Sequence, residues 1–457
     1  MITLTNANNA LKTYYLGVLA NQLNVGINPF LSKIEHTSTD VYGKEIKKLA
    51  PYGLNGGISS GTETDSLPKV GGNQYAEFVL ELKNLYGQIE ISDKAIRASQ
   101  NSVGAFVNLL NAEMEGLLHA SKYNFGRMLF GDGSGRLSSV AEEAQGNTFA
   151  VENIRAFVEG MIVDFQVPFG EYIEELRGAR IISIDRVNKY IVLDKSADSV
   201  TVPKGCDIYV QGSMNNELTG IETLFSTDVI YGLDKYDYTF LQPYVATEEG
   251  GVTAQAIQRA IDSIEINTGN TIDIIMCSHD VRNSYVNNLT ENRVNVDYMT
   301  IDGGFSAISY AGIPMVADRF VADGTMYLLN TPDFKLYQLC DWRWLEGEGG
   351  TVLHQVPGKP AYTATLVKYA DLLCERPAGQ AKITFTGTKA PARCSVSFNS
   401  NGGTNVASQE VYPGNCAVEP KDPTRAGSDF DGWYTNGAVY DFSKPVYTDL
   451  HLTAKWS

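Results

Sequence analysis

The five histidines and the triplet Ser278-His279-Asp280 are the first residues to test for chemistry. The histidines, at positions 36, 119, 279, 354 and 451, show no His-x-x-x-His or other ligand spacing, so no metal site is expected. The triplet has the residue types of a hydrolytic triad, but adjacent residues on one backbone cannot converge on a single proton. We interpret it as the end of a strand, with Ser278 or Asp280 capping the next helix.

Glycine-rich and acidic segments give no better candidate for catalysis. The run Gly131-Asp-Gly-Ser-Gly135 has no preceding strand and no following Lys-Ser/Thr, so it is interpreted as a helix end and not as a phosphate loop. The pairs Glu142-Glu143 and Glu174-Glu175 are adjacent in sequence and are expected to be solvated. The sequence therefore predicts no catalytic residue, no cofactor and no metal, which favours a structural role.

The six cysteines, at positions 206, 277, 340, 374, 394 and 416, never form Cys-x-x-Cys. This spacing fits neither a zinc site nor a redox motif, and reduced, mostly buried thiols are expected. Cys394 and Cys416 lie close together in what the sequence indicates is one small domain. A disulfide between them stays open at this point.

Length and charge exclude several classes of protein. The 457 residues contain 53 acidic and 36 basic side chains, for a net charge of −17, and 43% are hydrophobic. Such a chain is expected to be globular, with about three domains. The acid excess argues against a protein that grips the phosphate backbone of nucleic acid. No run approaches the ~18 to 20 apolar residues of a membrane span, and the N-terminus lacks the pattern of a signal peptide, which predicts a cytoplasmic origin.

Hydrophobic periodicity predicts the first half of the chain. Residues 8–25 have the spacing of a short amphipathic helix, and the glycine-rich segment 53–73 is predicted to project as a loop or linker. Residues 76–92 alternate with period two, which predicts a long strand pair with one wet face. A helix over 40 Å long is expected from Ser102 to the glycines at 131–135. A second helix is expected over 151–165.

The second half alternates between strands and helices. Short strands with turn signals between 180 and 212 indicate a small barrel or sandwich. Residues 253–345 show the alternation typical of an α/β layer, and a long strand follows from Tyr362. After residue 386 the amino-acid composition changes and becomes rich in Asn, Gly, Pro and aromatic residues. This indicates an exposed linker and a separate small module. The last 65 residues contain seven acidic and five basic side chains.

The order of these elements resembles the major capsid proteins of tailed phages, the Hong Kong 97 type fold. The resemblance covers about residues 1–385 and is carried by order and spacing more than by any one motif. Its residues are Leu85-Tyr-Gly-Gln-Ile-Glu-Ile-Ser-Asp-Lys-Ala-Ile96 before the long helix, Ala311-Gly-Ile-Pro-Met-Val-Ala-Asp318, and the stretch from Trp344 through Tyr362-Thr-Ala-Thr-Leu-Val-Lys-Tyr to Leu373.

This resemblance implies an α+β fold with a defined division of the chain. It implies an N-terminal arm over 1–50, an extended loop over 51–92 that lies across a neighbouring subunit, a peripheral domain with the spine helix over 93–170 and 346–385, a β-rich insertion over 171–224, an axial domain over 225–345 and a linker over 386–393. Some relatives crosslink loop lysines to asparagines of neighbours. Lys69 is the loop lysine placed for this, but no matching Asn and Glu context is visible, so an ordinary surface lysine is favoured.

Residues 394–457 resemble the internalin-B-type (Listeria-Bacteroides) repeat, a small β-grasp-like module of bacterial surface proteins. The matching motifs are Val396-Ser-Phe-Asn-Ser-Asn-Gly-Gly-Thr404, Val411-Tyr-Pro-Gly414, Pro420-x-x-Pro423-Thr-Arg-Ala-Gly427, Phe430-Asp-Gly-Trp-Tyr434 and Leu452-Thr-Ala-Lys-Trp456. Trp433 and Tyr434 could stack on a sugar. The alternative, which is favoured, places Phe430, Trp433 and Trp456 in the core of the module.

Together these resemblances predict a phage major capsid protein that forms an icosahedral shell and carries a surface-exposed decoration domain. The implied partners are other copies as hexamers and pentamers, portal and scaffolding proteins, enclosed double-stranded DNA that is not specifically bound, and a host-surface or mucus glycan for the C-terminal domain, without a membrane. The protein is expected in the virion capsid after assembly in the bacterial cytoplasm. The alternatives are an encapsulin-like nanocompartment shell and a bacterial surface adhesin.

Overall fold

The computed structural model describes residues 29–53, 55–63, 69–94, 103–168, 170–291, 298–301, 305–347, 350–388, 394–411, 416–435, 437–444, 446 and 448–457. The helix predicted over 8–25 lies outside these residues. The chain divides into two compact units, a body up to Thr388 and a C-terminal module from Lys389. None of the helices in these ranges is long and apolar enough to cross a bilayer.

The strands of the described residues, in chain order, are β1 (Glu35–Thr37), β2 (Val41–Tyr42), β3 (Glu45–Tyr52), β4 (Gln74–Glu81), β5 (Lys83–Ser92), β6 (Arg136–Ser139), β7 (Ala144–Ala150), β8 (Ile162–Gln166), β9 (Ala179–Asp185), β10 (Tyr190–Val202), β11 (Asp207–Val210), β12 (Val229–Ile230), β13 (Leu233–Asp234), β14 (Tyr244–Glu248), β15 (Ile274–Cys277), β16 (Tyr298–Ile301), β17 (Phe305–Tyr310), β18 (Ile313–Ala317), β19 (Thr325–Leu329), β20 (Phe334–Trp344), β21 (His354–Gln355), β22 (Ala361–Cys374), β23 (Ala381–Phe385), β24 (Cys394–Asn399), β25 (Gln409–Val411), β26 (Phe430–Thr435), β27 (Ala438–Val439) and β28 (Leu450–Trp456).

The α-helices of the same residues are α1 (Pro29–Lys33), α2 (Val103–Leu129), α3 (Thr223–Ser226), α4 (Ala254–Thr268) and α5 (His279–Glu291), with short 3-10 turns at Glu174–Leu176, Thr239–Leu241, Thr331–Asp333 and Pro377–Gly379. Helix α2 confirms the predicted long helix. Its 27 residues correspond to about 40 Å at the usual rise. Met114, Leu117, Phe125 and Leu129 on one side of α2 are buried.

The long strands around α2 belong to two different sheets. β3 and β4 form an antiparallel hairpin, with Glu45 opposite Glu81 and Tyr52 opposite Gln74. β5 instead pairs with β22, with Lys83 opposite Ala370 and Ser92 opposite Ala361. The period-two alternation of residues 76–92 is confirmed, but the predicted strand pair is not formed within this segment, because β4 pairs with β3 and β5 pairs with β22.

The β-rich part of the body is a six-stranded sheet in the order β6-β11-β8-β9-β10-β7. It contains the strands predicted between 180 and 212, and it also takes in residues from Arg136 to Gln166. The helix predicted over 151–165 is wrong. Val163 and Phe165 there are strand residues opposite Val210 and Ile208 of β11, and both are buried in the core of this sheet. The sheet therefore begins earlier in the sequence than the predicted insertion boundary at 171.

The predicted α/β layer is present as a seven-stranded sheet in the order β14-β23-β19-β15-β18-β17-β16. Pairs β14–β23 and β15–β18 are parallel. The Thr253 side chain caps α4 by accepting a hydrogen bond from the Ala256 amide at 3.2 Å. Gly269 ends the helix in the left-handed conformation, with φ 66°, where glycine avoids the Cβ penalty.

The C-terminal module is all-β, with its five strands in the order β25-β24-β28-β26-β27. β24 and β28 are parallel, and β26 is antiparallel to β28. The module has its own apolar core, formed by Cys394, Val396, Phe398, Val411, Ala417, Trp433, Val446, Leu452 and Ala454. The predicted combination of an α+β body with a small all-β C-terminal module is confirmed.

Candidate assembly and ligand surfaces

The two faces of the β3–β4 hairpin differ in their surroundings. On the inner face Phe78 is fully buried, with its ring centroid 5.2 Å from that of Tyr231. The outer face exposes Leu49, Tyr75 and Val79, at 62%, 56% and 38% of their surface. Lys47 and Glu77 lie on the same face, opposite Val79 and Leu49. Exposed apolar side chains rimmed by charged ones are typical of a surface that another protein covers. We call Leu49, Tyr75 and Val79 the hairpin patch.

The segment between the two hairpin strands approaches itself closely at its base. A Cβ atom built on Gly71 would lie 2.5 Å from both the Gly56 amide nitrogen and Asn55 Oδ1, so only glycine fits this approach. Ile58 and Val70 are almost fully exposed. Apolar side chains therefore continue from the hairpin patch into the described part of the predicted loop.

Lys69 is exposed in the same segment. Its ammonium group has no hydrogen bond or ion pair to another residue that the structure describes. This fits the ordinary surface lysine that the sequence favoured. The structure holds a single chain, so the crosslinking role of Lys69 stays untested.

Two ion pairs, each with a buried cation, lie on α2 and β22. The Arg127 guanidinium donates to Glu217 through both terminal nitrogens, with a distance of 2.8 Å from Nη1 to Oε2. Lys368 is completely buried on β22, and its Nζ atom lies 2.8 Å from Asp341 Oδ1. Burial lowers the pKa of Lys368, and the hydrogen bond to Asp341 opposes this shift.

Asp371 is a second buried charge on β22. Its carboxylate accepts hydrogen bonds from the Thr219 amide at 2.7 Å, the Thr219 hydroxyl at 2.8 Å and the Leu372 amide at 2.8 Å. Burial raises the pKa of Asp371 to about 6, and these hydrogen bonds oppose the increase. The residue ties the segment before α3 to the central strand of the body. Sequence reasoning did not single out Asp371 or Lys368, although each is a charged residue inside an apolar run.

The triplet Ser278-His279-Asp280 spans the end of one strand and the start of a helix. β15 ends at Cys277 and α5 begins at His279, which confirms the predicted strand end. Asp280 Oδ2 accepts hydrogen bonds from the Gly324 amide at 2.9 Å and the Thr388 hydroxyl at 2.8 Å. Asp280 is therefore a structural tie. Within the residues described, no group of three or more His, Cys, Asp or Glu side chains could hold a metal ion.

Several clefts in the described part of the body are large enough to hold part of another molecule. A cleft of about 930 Å³ lies between β3 and the end of α4, with Tyr52, Phe240 and Arg376 in its lining. A second cleft of about 590 Å³ lies beside β5 and α2, with Gly87 and Trp342 in its lining. The first cleft adjoins β3, and the second adjoins β5 and α2.

In the C-terminal module, Trp433 is a core residue. It is 2% exposed, and its ring lies edge-on to Phe398 and Phe430 at centroid distances of 4.9 and 5.5 Å. The suggestion that Trp433 stacks on a sugar is therefore wrong, because neither face of its ring is accessible. Trp456 is half-buried and donates its Nε1 hydrogen to the Ser400 carbonyl at 3.1 Å.

Tyr434 is partly exposed on the opposite face of the sheet, and Lys455 Nζ lies 4.9 Å from its ring centroid.

The two cysteines of the module are not bonded to each other. Cys394 is buried, while Cys416 is exposed and contacts the Ser443 carbonyl at 3.1 Å. The disulfide that the sequence left open does not form in this structure.

The chain thus consists of an α+β body, which contains a long helix and extended strands, and a separate all-β module. Comparison with known families identifies the module. Residues 395–455 match the family model of the Listeria-Bacteroides repeat domain, which confirms the resemblance deduced from the motifs.

Among curated proteins, one described as a Gly-rich membrane protein and one described as a membrane protein, both from Evansella cellulosilytica, are each 40% identical to this chain over 65 residues. These matches cover 13% of this chain and 8% and 10% of the two relatives. The chain therefore spans at most a tenth of the length of these relatives.

Most of the similar solved structures are tailed-phage capsids. The capsid of cyanophage A-1(L) is 12% identical, with 78% of this chain and 92% of that chain covered and a TM-score of 0.49. The capsid of Myoviridae phage XM1 is 11% identical, covering 77% and 90% with a TM-score of 0.37. The encapsulin complex of Synechococcus elongatus PCC 7942 is 15% identical, covering 33% and 57% with a TM-score of 0.26.

Proposed function

We propose that this chain is the major capsid protein of a tailed double-stranded DNA phage, a structural subunit that assembles with copies of itself into an icosahedral shell. The observation that carries the proposal is the hairpin patch. Leu49, Tyr75 and Val79 lie on a rigid two-stranded element whose other face is anchored in the body core. A subunit that presents such a surface gains free energy when a neighbour covers it, at about 25 cal/mol for each Å² of apolar surface removed from water.

The other elements fit a thin shell subunit. A helix of 27 residues and the 14-residue strand β22 extend through the body, while the α/β sheet forms a separate layer with its own core. We assign the sheet of β6 to β11 to the insertion, the seven-stranded α/β sheet to the axial domain, and α2 with β5, β20 and β22 to the peripheral domain. This changes the axial range expected at 225–345, because β23 joins the α/β sheet and β20 pairs with β22. Contacts with hexamer and pentamer neighbours would involve the hairpin.

The acidic charge supports enclosure of DNA without binding. With a net charge of −17, a wall of many copies repels the phosphate backbone, so a packaged genome can be released. The proposal includes a portal, a separate scaffolding protein and assembly in the bacterial cytoplasm. It also places the C-terminal module on the outside of the shell as a decoration domain that binds a surface or mucus glycan.

Electron microscopy of the purified protein, expressed with the scaffolding protein of the same phage, tests the proposal. Icosahedral particles with surface knobs are expected, and deletion of residues 389–457 should remove the knobs and leave the shells. A chain that stays monomeric with that scaffold would contradict a capsid role. Particles that contain an enzyme in place of DNA in infected cells would favour a nanocompartment shell.

A cell-surface adhesin is the second candidate, and the match to the Listeria-Bacteroides repeat is the observation in its favour. An adhesin would be recovered from the cell envelope of a bacterium that encodes it. A capsid protein would be recovered from phage particles. Fractionation of infected and uninfected cells with an antibody against the body separates these two outcomes.

A further inference from the structure

Strand β5 has one paired and one open edge. It pairs with β22, and no other described strand pairs with it. Thr365 of β22 lies opposite Gln88, and the Thr365 carbonyl accepts a hydrogen bond from the Leu345 amide on the far side of β22. Both backbone groups of a residue point the same way in an antiparallel ladder. Gln88 and its alternates Asn84 and Tyr86 therefore point their N–H and C=O groups away from β22.

These outward backbone groups are unpaired. Among the described residues, none forms a hydrogen bond with the N–H or C=O group of Asn84, Tyr86 or Gln88. The Tyr86 side chain is 65% exposed. At the start of the strand, Lys83 Nζ donates to the Asn215 carbonyl at 3.1 Å, and the edge is open beyond that contact. An open strand edge is a template on which another strand can pair.

The cleft of about 590 Å³ beside β5 and α2 lies along this edge, and we call it the β5 cleft. Every residue from Glu81 to Gln88 contributes to its lining, inward and outward side chains alike, so the strand borders the cleft with its edge. Two buried polar atoms of the same lining, Asn124 Oδ1 and Trp342 Nε1, have no hydrogen-bond partner in the described structure. Trp342 is only 6% exposed. Because buried polar groups are normally paired, the cleft offers an unused acceptor and an unused donor.

The unpaired groups of the β5 cleft select an extended peptide as the occupant. A strand beside β5, at a spacing of about 4.8 Å, presents alternating C=O and N–H groups to the open edge. Its remaining backbone groups and small polar side chains can pair with Asn124 Oδ1 and Trp342 Nε1. Main-chain hydrogen bonds provide the affinity when a strand adds to a sheet edge in this way.

One described segment of the chain matches this chemistry. Residues 55–63, in the connection between β3 and β4, lie outside the helices and strands. The segment carries no charge before Glu63, and its side chains are small apart from Ile58, which is 89% exposed. A narrow polar cleft accepts such a segment more readily than one with long or charged side chains.

The segment and the β5 cleft of one chain lie apart. The eight residues of β4 separate them, which corresponds to about 26 Å at about 3.3 Å per residue. The close approach of Gly71 to Gly56 and Asn55 holds the base of the connection at the end of the hairpin that is farther from β5. A second copy of the chain is therefore the source of a segment for this cleft.

We propose that residues 55–63 of one copy enter the β5 cleft of a neighbouring copy and pair with its open edge at Asn84, Tyr86 and Gln88. The inference deepens the proposed function and rests on assembly of the chain with copies of itself. It adds a second type of contact to the hairpin patch. The patch is covered by packing, whereas the segment is held by main-chain hydrogen bonds.

Gln88→Pro tests the role of the open edge. Proline removes the outward N–H, which β22 does not use, and proline is tolerated on an edge strand. Gln88→Ala keeps the N–H and is the matched control. When the full chain is expressed with the scaffolding protein of the same phage, particle yield should fall about tenfold or more for Gln88→Pro and stay within about twofold for Gln88→Ala. Circular dichroism should show the parent fold in both variants.

Hydrogen exchange of the parent chain provides a test without a variant. The amides of Tyr86 and Gln88 should exchange at least about tenfold more slowly in particles than in the unassembled chain. A synthetic peptide of residues 55–63, added in excess to the unassembled chain, should slow exchange at the same amides. The same peptide with Ser59→Pro and Ser60→Pro should not, because one of two adjacent prolines removes an N–H that faces the edge in either register.

Three results would overturn the inference: equal exchange of Tyr86 and Gln88 in particles and in the unassembled chain, equal particle yields of the two Gln88 variants, or equal effects of the two peptides. Slow exchange that appears only when the scaffolding protein is bound would assign the cleft to that protein and would also overturn it. Particles in which these amides exchange rapidly contradict this inference alone. Slow exchange caused by the peptide, in a chain that never forms particles, contradicts the capsid role alone.

Discussion

The β3–β4 hairpin and the sheet of the C-terminal module share a design but differ in their exposed faces. Each packs aromatic side chains under one face, Phe78 in the hairpin and Trp433 in the module. The exposed face of the hairpin presents Leu49, Tyr75 and Val79 beside Lys47 and Glu77. The outward residues of the module strands β24, β26 and β28 are polar apart from glycine and Tyr434. The side chains that a fold leaves exposed indicate what the surface contacts, and the apolar side chains of the hairpin face indicate a protein neighbour.

The largest expected effect concerns the hairpin patch. In a double variant, Leu49→Asp with Val79→Asp, a neighbour would have to bury two added carboxylates, and the one at position 49 would lie opposite Glu77 with no cation to pair with. Because burying an unpaired charge costs several kcal/mol, we expect the yield of assembled particles to fall by about a hundredfold or more. Sucrose-gradient sedimentation with electron microscopy measures this yield, and circular dichroism should show an unchanged fold.

Ile182→Asp is the matched control for the hairpin patch. Ile182 is a 57% exposed apolar residue on a strand of the β-rich sheet. Its replacement should leave the particle yield near that of the parent. If the control and the double variant lose particle yield equally, or if the double variant assembles fully, the hairpin patch is not the surface that a neighbouring subunit covers.

The next effect concerns the core of the module. Trp433→Ala removes the ring that contacts Phe398 and Phe430, and large aromatic truncations in cores cost about 3 to 5 kcal/mol. A small core cannot absorb that loss, so the module should unfold while the body stays folded. Limited chymotrypsin digestion should degrade residues 389–457 of the variant and leave the body intact, whereas the parent module should resist digestion. Tyr434→Ala, on the opposite face, should change the free energy of unfolding by less than about 0.5 kcal/mol.

Elements with strong periodicity could be predicted from the sequence, and their partners could not. The alternation of residues 76–92 indicated which side chains point inward, but pairing of β5 with β22 joins segments far apart in the chain, where local pattern carries no information. The helix predicted over 151–165 failed for a related reason. Val163 and Phe165 form a buried strand, and short apolar runs do not distinguish a strand from a helix.

For the exposed and buried side chains too, local sequence pattern predicted part of the outcome and distant contacts decided the rest. The motif in the module identified Trp433 and Tyr434 together, and strand alternation places them on opposite faces of the sheet. Which of these two residues is exposed to solvent depends on the rest of the fold. Lys368 and Asp371 were visible as charges in an apolar run. Their burial depends on partners, Asp341 and Thr219, that are distant in sequence or on another strand.

An intermediate effect is expected from Asp371 in the body. Its pKa is about 6 in the folded protein and about 3.9 when unfolded, so between these values the folded state binds the proton more tightly. The free energy of unfolding should therefore decrease as pH rises from about 4 to about 7, by up to roughly 3 kcal/mol, since each pKa unit corresponds to about 1.4 kcal/mol.

Urea denaturation of the body at several pH values measures this dependence. Asp371→Asn should flatten the profile between pH 4 and 7, because the amide does not titrate. Asp228→Asn, at an exposed position, is the control and should leave the parent's profile unchanged. An unaltered slope in the Asp371 variant would mean that other groups account for the pH dependence and that Asp371 does not contribute to it.

The smallest effect is expected from Lys69, which tests whether the hairpin acts through packing or through chemistry. Lys69 is exposed and has no carboxylate or amide partner among the residues that the structure describes. Lys69→Ala should therefore leave particle yield unchanged, and denaturing gels of parent particles should show a single 50 kDa band. A ladder of higher-mass bands that disappears in Lys69→Ala would show that Lys69 joins neighbouring subunits covalently. The hairpin patch would then only position the subunits for that bond, and packing alone would not account for the contact.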